Sequence, residues 1–380
     1  MHSTETIALP TTSPGTNRHL TVHRWGAPGT RPKVYIQAGL HADEFPGVLA
    51  ACHLIPLLDA AQRAGQILGE VVLLPAVNPI GLSQSLHMQH LGRFAFGDGG
   101  ENFNRGWPDL SNAVLMDLAD ALGSDPVENT SLLRAALSKA VAALPDLSER
   151  QAHIKALLSL SIDADFVFDL HCDAQALLHL YAHEEHRDLA AQLGQVMGAH
   201  AVLLGKGVDT GLFDECNAGV WIKVRRALGL TSETLPAACF APIVELRGQR
   251  DVSHDAGAQD AANLFAFLQR HGVISGPSPT PPRALCDATS VDGCELLRAP
   301  VSGVVIWHVP LGALVAPGDH LADILNVTDE DPLTSGMKVL ASQAGVLFSQ
   351  RMSHLTRPGE ILGQIAGKAP HSLKTGGEFY

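Results

Sequence analysis

The sequence predicts an α/β protein with helices on both faces of a mainly parallel sheet, followed by a small all-β domain. Two observations lead there. Short apolar runs alternate with helical stretches through most of the chain, the pattern of strands buried on both faces. A proline-rich tract then gives way to short β-branched runs and Pro-Gly turns that repeat. Residues 1–275 are expected to form the first domain, 276–285 a stiff linker (Gly276 to Pro282) and 286–380 the β-rich domain.

Taken in order, the polar stretch that precedes Arg31 holds an edge strand or two near Leu20 to Trp25. Val34, Tyr35 and Ile36 read as a buried strand. A loop from Gln37 to Gly47 leads to a helix over 48–64, in which Pro56 marks a kink or an early end. Gly69 to Leu74 is a second buried strand, closed by Pro75 and the turn Asn78-Pro79-Ile80-Gly81. The stretch from Ser83 to Pro108 is long, irregular and glycine-rich, and loops of that length are commonly functional. It is not a phosphate loop, because no Gly-Lys-Ser/Thr follows its glycines. Residues 112–160 read as two or three helices with a break near Pro145, and 165–173 as an apolar strand ending beside His171. Further strands are expected at 176–181, 201–204 and 239–247, with helices over 219–230 and 255–271.

The C-terminal repeat places Gly303 against Gly345 and Pro317-Gly318 against Pro358-Gly359. This module resembles the lipoyl/biotinyl-carrier sandwich, in which two such halves wrap each other. Lys338 lies between the halves, but too close to the second one for the carrier's lysine hairpin, so a structural or assembly role is expected.

Composition narrows the function. Hydrophobic residues make up 46% of the chain. Charged residues make up 17%. The usual charged share is about 25%, so ample material is left for a large core. A net charge of −13 argues against nucleic acid or an anionic membrane surface as partner. No basic-then-apolar leader is visible. Nor does any uninterrupted apolar run reach the length of a membrane span, so a cytoplasmic location is expected. The six scattered cysteines then read as reduced thiols.

The chemistry begins at the strand-to-helix bend. His41 and Glu44 are close enough to bind one cation, and an imidazole with a carboxylate suits zinc. Taken alone, such a pair is better explained by a solvated His41 and a Glu44 that complements the helix N-terminus, because two residues are a weak motif. His171 adds a third ligand from a later strand end, and hydrolytic zinc sites commonly use three protein ligands and leave one position open. Asp169 or Asp173 is placed to orient a ligating imidazole. Glu245 ends an apolar strand, where it is either a general base or a salt-bridge partner of Arg247 or Arg250. Asn104 and Arg105 pair an amide with a planar guanidinium, suited to a substrate carboxylate.

These residues, read as Gly39-Leu40-His41 with Glu44, Asn78-Pro79, Asn102 to Arg105, Asp169-Leu170-His171 and Val244-Glu245-Leu246, resemble the aspartoacylase/succinylglutamate desuccinylase group. That group is similar to the carboxypeptidase-A-like zinc hydrolases. The resemblance implies a zinc-carboxypeptidase-like sheet and one Zn2+ per chain held by His41, Glu44 and His171. It also implies Glu245 as base and acid, and Asn104 with Arg105 on the substrate carboxylate. Aspartoacylases proper place an arginine after the Asn-Pro; Ile80 stands there, and Arg93 is the candidate replacement for stabilising the oxyanion. The expected function is a zinc-dependent deacylase acting on a small N-acyl amino acid-like substrate, in a chain able to form a homo-oligomer. The alternatives are a zinc carboxypeptidase for short peptides and a catalytically silent metal-containing binding protein. Glu245 argues against the last, since a structural site needs no base.

Overall fold

A computed structural model describes residues 2–97, 99–207 and 210–368 of the chain. They fall into two compact units whose segments interleave. The first holds Met1–His171, Lys206–Val244 and Val252–Thr280; the second holds Cys172–Gly205, Glu245–Asp251 and Pro281–Tyr380. The strands Phe166–Asp173 and Ile243–Gly248 each begin in the first unit and end in the second.

In the first unit, Ser3–Ala8 and His19–Trp25 pair antiparallel, and the latter pairs antiparallel with Glu70–Leu74. Lys33–Ala38 then runs parallel to both Glu70–Leu74 and Phe166–Asp173. Every residue of Lys33–Ala38 and Glu70–Leu74 is buried, which explains why their middles, Val34 to Ile36 and Val71 to Leu74, read as unbroken apolar runs rather than alternating ones. Alternate side chains serve opposite faces. Tyr35 and Val167 join a core with Leu133, Leu137, Leu157 and Trp221 from the helices Pro126–Ala142, Glu149–Ser161 and Val220–Ala227. Phe166 and Phe168 turn the other way and pack edge-on against Phe267 of the helix His254–Arg270. The Phe166 and Phe267 ring centres are 6.2 Å apart. Those of Phe168 and Phe267 are 5.7 Å apart. The sheet is therefore covered on both sides, as the sequence predicts.

Several elements differ in extent from the prediction. The helix Phe45–Arg63 runs through Pro56 without ending. Pro56 and Cys52, the residue whose carbonyl loses its partner, both lie on the solvent side, so the break leaves no buried polar group stranded. By length and composition this helix could cross a membrane, yet it packs on His254–Arg270 and Lys33–Ala38 with one face buried, as a core helix does. The strand expected from Cys239 begins at Ile243, because Pro242 has no N–H to give the ladder; Phe240 makes only an isolated bridge to Phe166.

In the second unit, His179–His183, Ala201–Gly205 and Ala288–Ser290 are parallel neighbours, and the helix Arg187–Met197 connects the first two. The remainder forms two antiparallel layers. Gly345–Gln350 pairs with Ile361–Ala366, Leu314–Val315 and Gln175–Ala176; Gly303–Trp307 pairs with His320–Leu325 and Leu355–Thr356. Leu297, Val305, Leu321, Leu347 and Ile365 fill the space between them. The sequence repeat is a repeat of geometry. A Cβ on Gly303 would sit 2.4 Å from the Leu325 carbonyl oxygen, and one on Gly345 would sit 2.3 Å from that of Ala366. Each half therefore begins where only glycine fits. Lys338 lies inside the strand Met337–Leu340, opposite Asp323, rather than at a hairpin tip.

Candidate metal centre

His41 and Glu44 leave the end of Lys33–Ala38, and His171 lies near the end of its parallel neighbour Phe166–Asp173. Parallel strands deliver their carboxyl ends to one rim, which is how residues far apart in sequence meet. Gly39 turns the chain out of the strand with φ +70, and the Glu44 amide closes a turn onto the His41 carbonyl at 3.1 Å. Glu44 stands at the N-cap of Phe45–Arg63 without its side chain capping that helix. Its carboxylate faces the histidines instead.

The three side chains are buried and converge closely. His41 Nδ1 lies 2.9 Å from Glu44 Oε1, and His171 Nδ1 lies 2.9 Å from Glu44 Oε2. The imidazole rings meet edge-on with centres 4.9 Å apart. The opposite nitrogens are held too. His41 Nε2 is 2.7 Å from Asn102 Oδ1, and His171 Nε2 is 2.9 Å from Asp169 Oδ2. The Asp169 contact is an ion-pair distance that falls off the line of a hydrogen bond. A proton on Nε2 of each ring, facing these oxygens, would leave the Nδ1 lone pairs turned to the centre, the arrangement metal-ligating histidines use.

Asp169 is itself anchored. Gln37 stands opposite it in register and donates from Nε2 to Asp169 Oδ1 at 2.9 Å, and the Tyr35 hydroxyl donates to Gln37 Oε1 at 2.8 Å. All three are fully buried. Of the two aspartates the sequence offered, Asp169 therefore faces the imidazole, while Asp173 receives the Ser349 hydroxyl within the second unit.

The electrostatics follow from this crowding. For Glu44, burial would raise the pKa, but His41, His171 and Arg93 together outweigh it and hold the carboxylate well below its usual range. Burial pushes His41 down, and Glu44 offsets only part of that, with Arg93 and His171 pushing the same way as burial. Burial also opposes charge on His171, yet Asp169 and Glu44 reverse it and carry the imidazole well above its ordinary value. Two imidazoles share one carboxylate, and only His171 has a second.

The long loop supplies the rest. Arg93 Nη2 sits 2.6 Å from Glu44 Oε1, so this guanidinium reaches the centre. Gly92 holds the loop there: its carbonyl accepts from the Ala42 amide at 3.0 Å, and a Cβ would lie 2.1 Å from the Asp43 nitrogen. Asn104 is buried and its Oδ1 accepts from the Phe213 amide at 3.0 Å; Arg105 Nη1 donates to the Asn104 carbonyl at 2.8 Å. Arg150 lies over the Phe103 ring at 5.0 Å. It donates to the Asn102 carbonyl at 3.2 Å and to the Arg105 carbonyl at 3.0 Å. Asn78 donates to the Leu40 carbonyl at 2.7 Å and caps the short helix Pro79–Leu82, in which Ile80 packs against the core. Glu245 is buried on Ile243–Gly248 in the second unit, where its charge, after burial and Cys294, helps raise the Tyr181 pKa. Sequence reasoning missed Tyr35, Gln37 and Arg150 and gave Asn102 no role. A glutamine directly after the apolar run Val34 to Ile36 was the one available signal.

Two imidazoles and a carboxylate, buried, converging and braced from behind, form a donor set that fits zinc. Residues 30–270 match the family model for the succinylglutamate desuccinylase/aspartoacylase catalytic domain. The chain belongs to that family, whose members are hydrolases of the deacylase type. Among solved structures, a Shewanella frigidimarina NCIMB 400 protein assigned to the same group is 22% identical, with 97% of each chain covered and a TM-score of 0.82. A family protein from Shewanella amazonensis SB2B is 24% identical over 96% of this chain and 98% of its own, also at 0.82. A Rhodobacter sphaeroides succinylglutamate desuccinylase/aspartoacylase is 17% identical over 97% of this chain and 96% of its own, at 0.66. At these identities the likeness is one of fold. No curated protein matches the chain.

Proposed function

We propose that the protein is a zinc-dependent deacylase that cleaves the amide bond of an N-acylated amino acid or a similar small carboxylate. The observation that carries this reading is the paired approach of His41 and His171 to the two oxygens of Glu44, inside a chain of this family. When bound, zinc supplies Lewis acidity, polarising the scissile carbonyl and making water a competent nucleophile near neutral pH.

The residues around it divide the remaining work. His41, Glu44 and His171 would hold the ion, with Asn102 bonded behind His41 and the Asp169 carboxylate facing His171 Nε2 to orient that ring by its charge. Glu245 is the residue we assign as general base and acid, on the resemblance of Val244-Glu245-Leu246 to the family. Arg93, already at the rim of the centre, is the donor we assign to the developing oxyanion in place of an arginine at position 80. Arg105 and the amide of Asn104 receive the substrate carboxylate, on a loop stiffened by Arg150.

The test is a panel of N-acetyl, N-succinyl and N-formyl amino acids with zinc-loaded protein. Hydrolysis lost on chelation, restored by zinc and abolished in His171→Ala supports the reading. A panel left untouched by zinc-loaded protein, or a His171→Ala variant with full activity, refutes it.

A further inference from the structure

We propose that the β-rich unit carries a second divalent transition-metal site, built from His308, His320 and Asp323. None of these residues takes part in the chemistry above, and the first two flank the connection between two paired strands. His308 follows Gly303–Trp307 and bonds through its amide to the Leu321 carbonyl at 2.8 Å; His320 opens the neighbouring strand His320–Leu325. In a regular strand, residues 320 and 323 would point to opposite faces. The register against Met337–Leu340 shifts between His320 and Ala322, so one extra residue is absorbed and His320 and Asp323 are brought to one side. Bulges that re-aim side chains in this way are common beside functional sites.

The result reproduces the geometry of the first centre. His308 Nε2 is 2.8 Å from Asp323 Oδ2, and His320 Nε2 is 2.7 Å from Asp323 Oδ1. The rings meet edge-on with centres 4.6 Å apart, against 4.9 Å for His41 and His171. In both places two imidazoles address the two oxygens of one carboxylate, with the ligand atoms all within 4.8 Å of one another. The difference is exposure: the second cluster is open to water, at 42%, 35% and 27% for the three side chains. An ion there keeps water in its other positions and exchanges readily. Two imidazoles and one carboxylate select zinc, cobalt, nickel or copper over magnesium or calcium, which prefer all-oxygen ligands. Lys338, opposite Asp323 on the adjacent strand, is the nearby charge that opposes binding. The ion would clamp the 308–320 connection, whose strand Leu314–Val315 pairs in the other layer.

The experiment counts ions on the full chain. Chelator-stripped protein is titrated with Co2+ and with Zn2+, following heat and the Co2+ visible absorption. The wild type should take up about two ions per chain, of which the His308→Ala/His320→Ala variant loses one. The His41→Ala/His171→Ala variant should lose the other, so the two sites, and the failure of either assignment, are told apart. Deacylase turnover should be unchanged in His308→Ala/His320→Ala. Should that variant fail to fold, Asp323→Asn keeps the side-chain shape and must show the same loss. A wild type that binds a single ion, lost on changing His41 and His171, overturns the proposal. So does a His308→Ala/His320→Ala or Asp323→Asn variant that binds as many ions as the wild type.

Discussion

His153 makes acid stability a sensitive readout of the scaffold under the metal centre. It is fully buried, and its Nε2 donates to the Val77 carbonyl at 2.6 Å, next to the Asn78 side chain that ties down Leu40. Its Nδ1 is buried with no hydrogen-bond partner among the described residues. The neutral Nε2–H tautomer fits this pocket, and a second proton would have nowhere to go. Burial accordingly lowers the pKa from 6.5 to about 4; the Val77 bond works against the shift and the Arg150 charge works with it. The unfolded chain takes up a proton near 6.5, whereas the folded one resists until about 4, so between those values the unfolded state holds more protons. Folding stability from this group is intact above the upper value and falls as the pH drops through the window. Each pKa unit corresponds to about 1.4 kcal/mol, which gives a total of ~3 kcal/mol, of which ~2 kcal/mol is lost between ~pH 7.5 and ~pH 5. Denaturant unfolding of wild type and His153→Gln at both pH values, followed by circular dichroism, isolates the contribution. Loss in acid of any ion held at the candidate centre enters both proteins alike and cancels in the difference. The stability of the wild type relative to the variant should fall by ~2 kcal/mol on acidification. An unchanged difference would refute both the neutral tautomer and the pocket that enforces it.

Other expectations test the centre itself. Asp169→Asn should weaken zinc affinity or turnover by ~10–100-fold, because it no longer fixes the His171 imidazole; equal zinc binding and equal kcat would contradict that role. Arg93→Ala should lower kcat by ~10²–10³-fold while leaving zinc content intact, and unimpaired turnover of a true substrate would remove Arg93 from the mechanism. Asp214, one of whose oxygens is buried without a hydrogen-bond partner among the described residues, has its pKa raised to about 8, by burial first and then by Glu215 and Asp169. The folded chain then holds a proton that the unfolded chain gives up near 3.8, so stability falls as pH rises between those values. Asp214→Asn should therefore gain in melting temperature over wild type as pH is raised through that interval, and parallel melting curves would rule this out.

What could be read in advance depended on whether a signal was local. His41 and Glu44 were legible as a pair three apart on the bend after a strand, and His171 as a histidine at the end of an apolar run; the pattern of such runs also gave the α/β class. Asp169 was visible as a polar residue in a strand and Gln37 read as the first residue of a loop; only the register that sets them opposite each other makes them a pair. Asn102 and Arg150 lie far apart in the chain, and no periodicity links a loop carbonyl to a helix guanidinium. The choice between Asp169 and Asp173 was open for a related reason: both lie on one face of one strand, and their partners, Gln37 and Ser349, come from elsewhere. The shift at His320 left no mark in composition, so the alignment of His308, His320 and Asp323 could not be anticipated from spacing.

The strand Phe166–Asp173 places Asp169, His171 and Asp173 at every second position, with Leu170 and Cys172 between them and Phe168 just before. Losing or gaining one residue upstream of Asp169 within it would exchange those two sets in a single step, swapping imidazole and carboxylates for hydrocarbon and a thiol. Its length is therefore under a constraint that no point substitution reveals. Relatives that keep the chemistry should accept insertions almost anywhere on the surface before they accept one there.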